Sequence, residues 1–110
     1  MTHDMTTIVQ PINLLVSDEL DRASKLHGAL FASAHEGFGV IAEEVNESGN
    51  ECKRCETGLR YLIDAIQREC NEDIADISDQ IRDAAVNAAA ELVQVAAMCA
   101  KLTRTVNKVL

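Results

Sequence analysis

The stretch that decides the fold is "AAVNAAAELVQVAAMCA", residues 84–100. It is the most apolar part of the chain, yet it carries Asn87, Glu91 and Gln94. Alanine is the strongest helix former, and neither Gly nor Pro interrupts this stretch. Followed outward, Ile74, Ile77, Ile81, Ala84, Ala88, Val95, Met98, Leu102 and Val109 recur at helical spacing and mark one apolar stripe. The frame set by Ile74 and Ile77 lands on position 91, between Ala88 and Val95, and that residue is Glu91. A carboxylate inside an Ala/Val stripe is costly unless it is paired or binds a cation.

Upstream, "CNEDIAD" (residues 70–76) marks a boundary where Asn71 or Asp73 can cap this helix. Before it runs a second helical stripe: Phe38, Ile41, Val45, Cys52, Cys55, Leu59, Leu62 and Ile66. Ser33 can cap that helix, and Gly49 and Gly58 mark points where it can kink or break. A shorter helix is predicted from Ser17, with Asp18 and Glu19 in its first turn and Leu20, Ala23, Leu26 and Leu30 on its apolar side; Gly28 ends it. Residues 1–16 contain "TTIVQPINLLV", β-branched and with the single proline, Pro11, and are predicted to be an extended or irregular arm. The predicted organisation is therefore an N-terminal arm, 1–16, and one all-α domain, 17–110.

Composition agrees with helices. Hydrophobic residues make up 47% of the 110, which excludes a wholly disordered chain, while aromatics are only 3%. A core of Ala, Val, Ile and Leu suits close-packed helices better than a sandwich, and the turn signals of a multi-stranded protein are absent. The net charge of −8 argues against nucleic acid and against an anionic membrane surface, since both need a basic face. It suits a divalent cation. Residues 1–13 lack the basic-then-apolar pattern of a secretory signal, and Ala84–Ala100 is short and interrupted for a transmembrane span. A cytoplasmic protein with reduced thiols is expected. Cys52 and Cys55 fall on the apolar stripe and read as small buried hydrophobes rather than a zinc pair.

Positions three apart share a helix face, so Glu44 projects with Glu47, and Glu91 with Gln94. Glu47 lies 23 residues before a turn placed at residue 70, and Glu91 and Gln94 lie 21 and 24 residues after it. In an antiparallel hairpin with equal rise in both arms, the two pairs meet at one height. Three carboxylates facing one another need compensation. A hard divalent cation, Mg²⁺ or Mn²⁺, supplies it, with the Gln94 amide oxygen as a further ligand. A structural pairing of Glu91 with Lys53 or Arg54 is the bland alternative.

"LHGALFASAHEGFGVIAEEVNE", residues 26–47, followed by "AAELVQVAAMCAKL", residues 89–102, resembles the MazG-like all-α nucleoside triphosphate pyrophosphohydrolases, especially the short phage and prophage type. That signature is EExxE followed by ExxD on a later helix. Glu43, Glu44 and Glu47 match the first motif, and Glu91 opens the second, with Gln94 in place of the Asp. The resemblance implies a Mg²⁺-dependent cleavage between the α and β phosphates of a nucleotide, and a helical bundle completed by oligomerisation. It implies that Glu44, Glu47 and Glu91 are metal ligands and that Glu43 supports the site or orients the attacking water. Lys53, Arg54, Lys101 and Arg104 are then candidate phosphate clamps, and His35 a candidate contact to base or phosphate. The motifs stand further apart here, across residues 48–90, than that pattern has them.

The expected architecture is thus all-α: a long antiparallel helical hairpin plus a short N-terminal helix, its four-helix core completed in a homodimer or tetramer. The alternative function is a non-catalytic acidic helical protein that acts by oligomerisation or interaction.

Overall fold

The computed structural model of the protein describes residues 5–109. Among the described residues there are three helices and no strand: α1 (Thr6–His27), α2 (Ala34–Gln67) and α3 (Asn71–Val109). The all-α expectation holds.

The N-terminal arm is corrected for the residues described. Residues 6–16 are helical, and residues 1–4 lie outside the described part. Helix α1 has 22 residues, so it is not short, and it passes straight through Ser17. It opens at Met5 with no side-chain cap; the Met5 carbonyl accepts from Ile8 N and Val9 N at 3.0 and 2.9 Å. Pro11 sits inside it. A proline there removes one amide donor, so the Thr7 carbonyl loses its helical partner, and the flanking Ile8, Val9, Ile12, Leu14 and Leu15 remain exposed. Gly28 ends α1 as expected, at φ 89, its N–H donating to the Ser24 carbonyl at 2.9 Å.

Ser33 starts α2 as expected: its hydroxyl accepts from Glu36 N at 3.1 Å. The helix then runs through Gly49 and Gly58 without a break. Its buried face keeps Ile41, Cys55 and Leu62 of the predicted stripe and departs from it at the other five positions. Gly37, Ile41, Glu44, Ser48, Glu51, Cys55, Gly58, Leu62 and Ala65 are buried or half-buried at alternating steps of four and three, with Val40 and Gly49 half-buried beside them. Phe38, Val45, Cys52, Leu59 and Ile66 stand one face round, exposed. The physical reason is volume: Gly, Ser and Ala let the Ala-rich α3 approach. A Cβ at Gly58 would lie 2.5 Å from Ile81 Cγ1, and one at Gly37 2.9 Å from Leu102 Cδ1.

The turn into α3 is a Schellman arrangement. Cys70 N donates to the Ala65 carbonyl (3.1 Å) and Glu69 N to the Ile66 carbonyl (3.0 Å), with Glu69 at φ 56 where glycine is usual. Arg68 clamps the turn by bonding Asp64 at 2.9 Å and Asp73 at 3.2 Å. The α3 stripe matches its prediction where it is described: Ile74, Ile77, Ile81, Glu91, Val95 and Leu102 are half-buried, and Ala84, Ala88 and Met98 are buried, while the predicted Val109 side chain lies outside the described part.

The chain divides into two compact units, one of residues 1–44 with 92–110 and one of residues 45–91. In the first, Ala23, Phe31, Ala97 and Met98 form the core, with Val16, Leu20, Val40, Ile41 and Leu102 packed on it. Phe31 N donates to Thr105 Oγ1 at 2.9 Å, and Lys101 Nζ sits 4.4 Å above the Phe31 ring. In the second, Ala65, Ala84 and Ala88 are buried, and the Cys55 thiol donates to the Ile81 carbonyl at 3.8 Å. By length and composition alone α3 is long and apolar enough to cross a membrane, with an 18-residue stretch of mean hydropathy 1.3. The shorter segment 84–100 did not suggest this; core helices of soluble proteins pass the same test.

Candidate metal centre

Glu44 lies on the buried alternation of α2, and Glu47 follows one turn later, exposed. Glu91 is half-buried on the α3 stripe, following the buried Ala84 and Ala88. One carboxylate oxygen from each of Glu44, Glu47 and Glu91 lies within 4.8 Å of the others. Two ligands on opposite sides of a Mg²⁺ ion are about 4.2 Å apart, twice a bond of about 2.1 Å. Neighbouring ligands on such an ion stand about 3.0 Å apart, so the three oxygens can gather on one hard divalent cation with side-chain movements on the order of an ångström. Three anionic oxygen donors, with no sulfur or imidazole among them, favour Mg²⁺, Mn²⁺ or Ca²⁺ over zinc or copper.

Glu43 is exposed and is not one of these three. Successive residues stand about 100° apart round a helix, so Glu43 flanks the cluster rather than joining it. Gln94 is half-buried on α3, one turn beyond Glu91. The Arg22 guanidinium, aided by Gln94, holds the Glu19 carboxyl below its usual range, against the opposing effect of burial. Arg22 Nε donates to Glu19 Oε2 at 2.9 Å, and a second guanidinium nitrogen bonds Oε1. The Glu19 side chain is only 14% exposed.

Sequence reasoning assigned Glu19 to a helix start and missed this role. The i, i+3 spacing of Glu19 and Arg22 was visible; the link to Gln94, 75 residues away, carried no local signal.

The basic candidates are dispersed. Lys53 and Arg54 are exposed on α2, and Arg54 bonds Glu51 at 2.9 Å. Lys101 is buried with its ammonium over Phe31, and Arg104 donates to Ser24 Oγ at 3.5 Å. His35 is exposed in the first turn of α2. Cys52 is exposed, which corrects its expected burial; Cys55 is half-buried, and all four cysteines are free thiols. A groove of about 450 Å³ in the first unit, lined by Leu30, Phe31, Ser33, Thr105, Val106 and Lys108 among others, contains none of the predicted site residues.

The chain matches no family model, no curated protein and no solved structure.

Proposed function

We propose that the protein is a Mg²⁺-dependent nucleotide pyrophosphohydrolase, with Mn²⁺ able to substitute, that cleaves a ribo- or deoxyribonucleoside triphosphate to the monophosphate and pyrophosphate. The observation that carries this reading is the convergence of Glu44, Glu47 and Glu91 oxygens within 4.8 Å. The resemblance of the EExxE segment and of Glu91 to the MazG-like signature points the same way.

In this reading Glu44, Glu47 and Glu91 hold the cation, and Gln94 lends its amide oxygen. The bound ion supplies charge neutralisation at the phosphates and a more acidic water. Glu43, exposed beside the cluster, takes up the proton of the water that attacks the α phosphorus. The bond from that phosphorus to the bridging oxygen breaks, and pyrophosphate leaves. Lys53 and Arg54, two turns beyond Glu47, neutralise the departing phosphates, and His35 meets the nucleotide at the start of α2. The long α2 and α3 form an antiparallel hairpin, and a dimer or tetramer completes a four-helix core. The site works in the cytoplasm, on a nucleotide, without nucleic acid or membrane as partner.

The test is pyrophosphate release from a panel of nucleoside triphosphates with Mg²⁺. Glu91→Gln should lower the rate by on the order of 10²-fold, as losses of a charge-stabilising group at reacting centres do. An inactive wild-type chain across the panel would sink the enzyme reading. The second reading, a non-catalytic acidic helical interaction protein, is favoured by one observation: the exposed Phe38, Val45, Leu59 and Ile66 on α2. It predicts self-association with no turnover and no change in melting behaviour on adding Mg²⁺.

A further inference from the structure

Phe38, Val45, Cys52, Leu59 and Ile66 recur every seven residues along the unbroken α2, and all five are exposed. Ala42, Gly49, Glu56 and Ile63 each fall four residues after one of the first four; Gly49 is half-buried and the others are exposed. A repeat of four and three kept over four heptads is the seam on which one α-helix packs against another. From Phe38 to Ile66 it runs 28 residues, roughly 42 Å.

Two features of the seam say what lies across it. The first is volume. The N-terminal half offers Ala42, Val45 and Gly49, the C-terminal half Leu59, Ile63 and Ile66. Nothing lies within 4 Å of a Cβ at Gly49, so there is room beside it. In an antiparallel pair of α2 helices with its axis level with residue 54, Ala42 faces Ile66 of the other copy, Val45 faces Ile63, and Gly49 faces Leu59. Small residues then meet large ones. In a parallel pair each residue meets itself, so Gly49 and Ala42 face gaps while Leu59 and Ile63 crowd their own copies.

The second feature is charge. Residues 34–51 hold Glu36, Glu43, Glu44, Glu47 and Glu51 and no Lys or Arg. Residues 53–67 hold Lys53, Arg54 and Arg60 against Glu56 and Asp64. An antiparallel pair sets the acidic half beside the half with a basic excess, whereas a parallel pair sets acid beside acid. Glu56, the one charge on the seam, then faces Cys52 of the other copy and stands within one residue's rise of its Lys53.

We propose that this seam is the interface of a homodimer in which the two α2 helices pack antiparallel about a two-fold axis near residue 54. The contact is self-complementary, as such an axis requires: Val45 meets Ile63, and Ile63 meets Val45. Phe38 reaches the level of Cys70, in the hairpin turn of the other copy. This pairing stands apart from the cation reading, since it fixes the face, direction and register of assembly whether or not the acidic cluster holds an ion.

Sedimentation of the full-length chain should give a dimer or a multiple of it; a monomer overturns the proposal. Thiol cross-linking with a short bis-maleimide then reads the register. The two copies of Cys52 stand four residues apart along the axis, about 6 Å, and should be joined in wild type. Cys52→Ser should lose the linked product, and Cys99→Ser, which removes the other exposed thiol, should keep it. A product that survives Cys52→Ser overturns the register.

Direction is read with both of those replacements in place. Val45→Cys alone puts its two copies 18 residues apart, about 27 Å, and should not link. Val45→Cys combined with Ile63→Cys sets thiols opposite one another between copies and should link; within one chain they are the same 27 Å or so apart, beyond a short reagent. A link in Val45→Cys alone shows a parallel pair and overturns the proposal. Tyr61→Cys, equally exposed but on the far side of α2 from Cys52, controls for chance collision and should stay unlinked. Linking there as fast as at Cys52 overturns the interface. All these positions except Gly49 are solvent-exposed in the single chain, so the variants keep their helical content.

Discussion

At Glu19 a single side chain links stability to proton concentration. Its carboxyl is held low first by Arg22 and then by Gln94. A depressed folded-state value means the ionised form is favoured by folding. The resulting stability is fully present above the unfolded value, near 4.5, and is lost as the pH falls through the lower folded value. Thermal melts taken from neutral pH down to about pH 3 should show Glu19→Gln with a flatter acid decline than wild type. The two mid-helix glycines of α2 make a paired prediction. Nothing lies within 4 Å of a Cβ at Gly49, so Gly49→Ala should stabilise by about 0.5–1 kcal/mol. At Gly58 the Ile81 side chain stands in the way, and Gly58→Ala should destabilise by about 1–3 kcal/mol. Chemical denaturation of the two variants decides both signs.

Among the elements, α3 was the most legible, because Ala, Ile and Met at helical spacing leave one possible buried side. In α2 two apolar-compatible faces compete. One carries the bulky Phe38, Val45, Leu59 and Ile66, and the other the small Gly37, Ser48, Gly58 and Ala65. Hydropathy ranks the bulky face as the core, but closeness to α3 depends on volume, and the small face is the one buried. In α1 the β-branched residues and Pro11 suggested an extended arm. Those propensities are weak beside a run of residues able to continue a helix, and α1 begins eleven residues before Ser17. The turn was placed correctly at residue 70, but its conformation was not legible, since Glu69 occupies a backbone region that sequence patterns reserve for glycine. Glu69→Gly should accordingly stabilise the protein by about 1 kcal/mol, read as a shift in the denaturation midpoint with unchanged slope.

For the molecule as a whole, the acidic constellation was the part of the proposed chemistry most open to the sequence. Helix spacing paired Glu44 with Glu47, and counting from the turn set Glu91 level with them. The partners of the basic residues could not be counted the same way, because Lys101 and Arg104 are committed to Phe31 and Ser24 through contacts between distant segments. The exposed Phe38, Val45, Leu59 and Ile66 bear on assembly. If a second copy covers them, the chain should sediment as a dimer or tetramer, and Leu59→Glu should shift it to monomer without altering its helical content.

The near-touch of Gly58 and Ile81 works as an index notch between two rods. Glu47 lies eleven residues to one side of it on α2 and Glu91 ten residues beyond it on α3, so each is roughly 15 Å along its rod from the notch. Helices that slide by even one residue past that notch would leave the two acids out of step. Registration of the carboxylates is thereby set by a missing methyl group some ten residues from either acid.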